Sequence, residues 1–153
     1  MDTVHFGMVF AFTSVDTFSK DVSVRLYPTL TSTNGKDFLM HSFTNRFHHT
    51  KLLQTDGGPE FKGEFKQNVF NYAERFRVAR PYKKNEQSFI ESFNRSLRKE
   101  CLGWGNYTPR DIPYMQEDLT EYLTYYHTKR AHISLNMKTP NDVLKQYSLM
   151  ADI

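Results

Sequence analysis

Apolar and polar residues alternate singly from Met1 to about Tyr27, and after Pro28 they recur every three or four positions, so the chain passes from strand to helix periodicity. Phe10 and Phe12 fall on one side of an extended segment, Val9, Ala11 and Val15 on the other, and Val22, Val24 and Leu26 follow. Gly7 and Thr17-Phe18-Ser19-Lys20 supply turn chemistry between these runs, which predicts an antiparallel meander of three short strands.

Beyond Asn34-Gly35-Lys36, the spacing of Phe38, Leu39, Phe43 and Phe47 predicts a helix, and Lys51-Leu52-Leu53-Gln54 a short strand ending at Asp56. Phe61, Phe65, Val69 and Tyr72 predict a second helix, and Phe76-Arg77-Val78-Ala79 a fifth strand. Strand, helix, strand implies a parallel crossover. Arg80 to Gln87 is a polar loop with no apolar anchor beyond Tyr82, and a helix is expected from Ser88 to about Leu102. A long helix after Thr108-Pro109 carries Ile112, Met115, Leu119, Tyr122, Leu123 and Tyr126 on one stripe, and Thr139-Pro140 opens a last short one. The pattern therefore describes an α/β domain: a five-stranded mixed sheet, three antiparallel strands then two parallel, flanked by helices. In such sheets ligands sit at the carboxyl ends of the parallel strands, where Asp56 falls.

Charge sharpens this picture. Between Arg75 and Lys99 eight Lys or Arg face two acids, Glu86 and Glu91, leaving this segment at +6 in a chain of net +3, so the remainder is net −3. Positive charge focused in this way attracts phosphate backbones; read alone, it also fits a solvated basic face. A length of 153 residues suits one domain, and 15% aromatic content suits a well-filled core. A single cysteine, Cys101, excludes an internal disulfide and a cysteine zinc site and fits a reducing compartment. No apolar run approaches the ~20 residues of a membrane span, and no signal peptide is recognisable.

The candidate chemistry lies in Thr55-Asp56-Gly57-Gly58-Pro59-Glu60-Phe61 and, 35 positions after Asp56, in Glu91 of Ile90-Glu91-Ser92-Phe93-Asn94-Arg95-Ser96-Leu97-Arg98-Lys99-Glu100-Cys101-Leu102. Together with Pro81-Tyr82-Lys83-Lys84-Asn85, Tyr126-His127-Thr128-Lys129-Arg130-Ala131-His132-Ile133-Ser134-Leu135 and Thr139-Pro140, these segments resemble the integrase catalytic core of bacterial insertion-sequence transposases and retroviral integrases, the bacterial elements most closely. The resemblance covers essentially all of residues 1–153, as one catalytic core domain. It implies a ribonuclease-H-like fold with an Asp, Asp, Glu triad that binds two Mg²⁺ or Mn²⁺ ions for DNA strand transfer. Family members carry a helix-turn-helix part upstream, to which nothing in this sequence corresponds.

Asp56 and Glu91 map onto that triad directly, while the first acid could be Asp2 or Asp16. Topology favours Asp2, because the first strand of such a sheet lies beside the strand ending at Asp56, whereas Asp16 sits in a hairpin turn that its residue type explains. The expected metal ligands and catalytic residues are thus Asp2, Asp56 and Glu91, hard oxygen donors suited to Mg²⁺. Asn94, Arg95 and Arg98 follow Glu91 on the same helical face. The resemblance implies that they contact DNA together with Lys83, Lys84 and Gln87. The implied partners are element ends and target DNA, within a homo-oligomer in a bacterial cytoplasm. A plain nuclease, and a non-catalytic DNA-binding or assembly module of the same fold, are the alternatives.

Overall fold

The computed structural model describes residues 1–151. Strands β1 (Asp2–Phe6), β2 (Val9–Val15) and β3 (Val22–Tyr27) pair as the expected antiparallel meander, with Asp2 opposite Thr13 and Val15 opposite Val22. The alternation along β2 separates two cores. Val9 and Ala11 join Phe6, Val22, Leu97, Met115 and Leu119 on one face, while Phe12 joins Phe38, Leu39, Phe61 and Phe65 on the other. Full burial of each such aromatic or leucine side chain contributes about 1.5–3 kcal/mol.

Helix α1 (Ser32–Asn45) starts where the Thr31 hydroxyl accepts the Asn34 N–H, 3.2 Å. Strand β4 (Thr50–Thr55) runs parallel to β5 (Ala73–Val78), and the crossover passes through a 3₁₀ turn (Pro59–Phe61), α2 (Gly63–Asn68) and a second 3₁₀ turn (Val69–Asn71). The expected single helix over this stretch is therefore broken. Pro59 favours a new start, and Gly63, at φ +45, interrupts the helical backbone.

The five strands do not form the expected continuous sheet. They make a three-stranded antiparallel ladder and a two-stranded parallel one. The chain start ahead of β1 is tied to β4 by the hydrogen bond from the Met1 amine to the Gln54 carbonyl, 2.5 Å, while β1 itself pairs along its length with β2.

Helix α3 (Ser88–Leu97) packs Phe93 and Leu97 into the first core and continues as a π-helical turn (Arg98–Leu102) closed by Gly103 at φ +69. A Thr108–Asp111 capping box leads into α4 (Ile112–Thr128), and Thr139 with Asp142 starts α5 (Pro140–Ala151) in the same way. Cys101 packs against the core, where burial pushes its thiol up to about 12. No described helix is long and apolar enough to cross a membrane.

Candidate functional site

The meeting of β1 and β4 brings two acids together. Asp2 is the first residue of β1 and Asp56 follows the last of β4. At Asp56 the chain turns through Gly57, whose φ of +85 suits a residue without a side chain, and the Gly58 N–H donates to Asp56 Oδ1, 3.1 Å. Asp2 is oriented by three elements. Its own strand supplies the Thr3 N–H to Oδ1 at 2.8 Å, and α3 supplies the Asn94 amide Nδ2 to Oδ2 at 2.7 Å. Strand β2 fixes that amide, since the fully buried Thr13 hydroxyl donates to Asn94 Oδ1, 2.8 Å.

Burial pushes the Asp2 carboxyl up to about 6, and the neighbouring Asp56 carboxylate adds to the rise. The neighbouring cation is the Met1 amine, itself lowered to about 6 by burial. Two neighbouring carboxylates in a partly dry site favour holding a proton on one of them, or binding a hard cation.

The third expected acid is placed differently. Glu91 is exposed on α3, one turn before Asn94 and on the same face, and it does not close on the Asp pair; among the described residues no trio of Asp, Glu, His or Cys is close enough to hold a metal. A water-exposed carboxylate keeps its hydration and avoids two like charges. Asp16 is turned to its own hairpin, accepting the Ser19 N–H at 3.0 Å and the Ser19 hydroxyl at 2.5 Å.

The expected DNA contacts divide into free and committed side chains. Lys83 and Arg95 are exposed, while the Lys84 side chain lies outside the described residues. Asn94 is engaged by Asp2 and Thr13. Arg98 donates to the His5 carbonyl, 2.7 Å, and its guanidinium lies 4.5 Å from the Phe6 ring and 4.8 Å from that of Trp104, so it fastens α3 to β1. Gln87 accepts from Gln54 Nε2 at 3.2 Å, and the same Gln54 amide donates to the Glu86 carbonyl. The Arg80–Gln87 segment is thus tied down, with Glu86 also accepting the Arg80 N–H at 2.8 Å and pairing with its guanidinium.

One further residue shapes the site. Glu60, 2% exposed, accepts the Thr3 hydroxyl at 2.5 Å and so bridges β1 to the turn after Asp56; its other oxygen has no partner among the described residues. The turn is built around it: a Cβ at Gly58 would strike the Glu60 carboxylate, and one at Gly35 of α1 would strike the Glu60 carbonyl. The signal in the sequence was an acid wedged between Pro59 and Phe61, four residues after Asp56.

Known proteins share this architecture. The family profile described as integrase core domain matches residues 72–140. A protein of insertion element IS407 from Burkholderia multivorans is 26% identical over 105 residues, covering 68% of this chain; the chain spans 37% of that relative's length. The catalytic core of BIV integrase superposes with a TM-score of 0.75 at 17% identity, over 100% of this chain and 96% of that one. A chain of a simian T-cell lymphotropic virus intasome gives 0.72 at 22% identity, over 93% and 51%, and the HTLV-2 integrase catalytic core, solved with magnesium, 0.67 at 20%, over 93% and 91%. Family profile, relative and fold point the same way: residues 72–140 resemble the integrase core domain, and the chain as a whole has the fold of integrase catalytic cores.

Proposed function

We propose that this chain is the metal-dependent core of a transposase, transferring DNA strands from the ends of an insertion element to a target in a bacterial cytoplasm. The observation that carries the reading is the juxtaposition of Asp2 and Asp56, with Asn94 holding Asp2 from α3. Magnesium in the HTLV-2 core structure and the intasome of the simian virus support the metal and DNA parts of it, and the latter favours a multimeric assembly.

The donor set fits Mg²⁺ or Mn²⁺, since it is all oxygen and two of its members are neighbours at the meeting of β1 and β4. Asp2 and Asp56 would hold the cation, and Glu91, free to change rotamer one turn from Asn94, would complete the set. Two such ions supply, when bound, stabilisation of both the attacking and the leaving oxygen in phosphodiester transfer. The protein's own side chains orient the reactants. Asn94 fixes the Asp2 carboxylate, the Glu60–Thr3 bridge holds β1 against the turn, and Arg98 fixes the helix that carries Glu91. Lys83 and Arg95, being exposed, would neutralise DNA phosphates; Lys84 is assigned with them. Gln87 is given a docking role at the root of α3.

The test uses the full-length transposase with a labelled element end, Mg²⁺ and a target plasmid. Joined product is expected, falling by orders of magnitude in Glu91→Gln while DNA affinity holds. Cleavage without joining would identify a nuclease. Joining that survives Glu91→Gln would remove Glu91 from the chemistry.

A further inference from the structure

On the flank of α3 opposite Asn94 lies a cavity of about 370 Å³, lined by Lys20 of the β2–β3 hairpin, by Ser88, Phe89, Ser92 and Ser96 of α3, and by Arg130, His132 and Ser134 beyond α4. The three α3 serines are spaced by four, so they form one row along the helix. None of the lining residues is a carboxylate. Lys20 adopts φ +60 in its turn, and its ammonium lies 3.7 Å from the Phe89 ring centroid. His132 stacks edge-on against Tyr126 with centroids 4.9 Å apart, and its Nε2 is buried with no hydrogen-bond partner among the described residues.

Leaving a buried ring nitrogen unsatisfied costs about 1–3 kcal/mol, so it calls for an oxygen from outside the protein. The charges say which kind. Arg130 brings a guanidinium to the wall, and two carboxylates stand behind the lining with their oxygens already engaged. Glu100 accepts from Arg130 at 2.7 and 2.9 Å and from Tyr122, and Asp16 accepts from Ser19. The imidazolium of His132 is held below its usual range by burial and by the Arg130, Lys20 and His127 charges, with Glu100 opposing. Ser88 and Ser96 donate their hydroxyls to the Asn85 and Ser92 carbonyls, Lys20 one N–H to the Thr17 carbonyl and Arg130 two to Glu100, which leaves the Ser92 hydroxyl and the remaining N–H groups of Lys20 and Arg130 as donors to an oxyanion in a space lined by no acid.

We infer that this cavity binds a phosphate group, donated by the DNA backbone or by a free phosphate ester. The proposed strand-transfer reading enters only through the DNA source. A helix is about 10 Å across. A strand crossing α3 would therefore run from the side of the helix that Asn94 turns to Asp2 to the side that lines the cavity.

The probes are inorganic phosphate and a short duplex, applied to the full chain with His132 followed by NMR of its ring nitrogens. Either ligand should raise the His132 pKa by about one unit, a tenfold gain in proton affinity. Ser92→Asp, on an exposed helical position, should abolish that response by adding a negative charge to the lining; Ser92→Ala should weaken it less. Lys20→Asn, compatible with the left-handed turn, should lower the slope of log K against log salt for duplex by about 0.9. A His132 response with the slope change assigns the site to the DNA backbone; a response without it assigns a free phosphate ester. No response to either ligand overturns the cavity as a phosphate site, even if the slope falls, because Lys20 would then be a surface contact. Asp56→Asn should leave the His132 response intact, so failure of strand transfer and failure of this site are separable.

Discussion

Asp21 and Asp2 are both acids at strand boundaries of the same sheet, drawn at least partly out of water, and the fold treats them oppositely. Asp21, 1% exposed, is met by His127 Nε2 at 2.9 Å and by the Arg46 guanidinium. Burial alone would raise its pKa, but hydrogen bonds from His127 and Arg46, and their charges, hold it below the ordinary range. Asp2 meets another carboxylate instead, and sits at about 6. The first acid closes a network joining β3, the end of α1 and α4. The second is left poorly compensated by the protein's side chains, which is the condition of a site whose charge balance comes from a bound cation.

The contrast breaks most forcefully at Asp21. Arg46→Ala would leave a buried carboxylate with half its compensation, and urea unfolding should show a loss of about 3 kcal/mol. Glu91→Gln, on an exposed position, should change stability by less than about 0.5 kcal/mol.

Asp2 should behave in the reverse sense. Its folded pKa is raised from 3.8 to about 6, so the folded state binds the proton more tightly, and the stability this contributes is present below about pH 4 and lost as pH rises through 6. Two units correspond to about 3 kcal/mol, an upper figure for a partly exposed side chain. Relative to the parent protein, Asp2→Asn should therefore gain stability between pH 4 and pH 7 by up to that amount in chelator. The pH-independent effect of placing an amide against Asn94 cancels in the difference.

Much of this was legible in the sequence. The alternation along β2 assigned Val9 and Ala11 to one core and Phe12 to the other, and the Asp56-Gly57-Gly58 turn fell at the end of a parallel strand. Other features escaped because they depend on which neighbour a helical face meets. Helical spacing correctly put Asn94 and Arg98 on the Glu91 side of α3, but it could not say that this side rests on β1, where both become internal fasteners. The break between the two ladders, and the Glu60–Thr3 bridge between residues 57 positions apart, are set by non-local packing and are invisible to local pattern.

A smaller effect sharpens that distinction. Arg95→Ala, removing an exposed cation, should lower the salt slope of duplex binding by about 0.9 with little change in stability. Arg98→Ala should leave the slope unchanged and cost about 1–2 kcal/mol of folding free energy, from the lost hydrogen bond and ring contacts.

The central claim is that Asp2 and Asp56 are paired to hold a divalent cation, and thermal unfolding during a Mn²⁺ titration at pH 7.5 tests it most directly. A ligand present at 100 times its Kd adds about 2.7 kcal/mol of stability. The parent protein should show a saturable rise in Tm that is abolished in Asp56→Asn and weakened in Glu91→Gln, while Asp16→Asn keeps it. An equal rise in the parent and Asp56→Asn proteins, or no rise in either, would contradict the account.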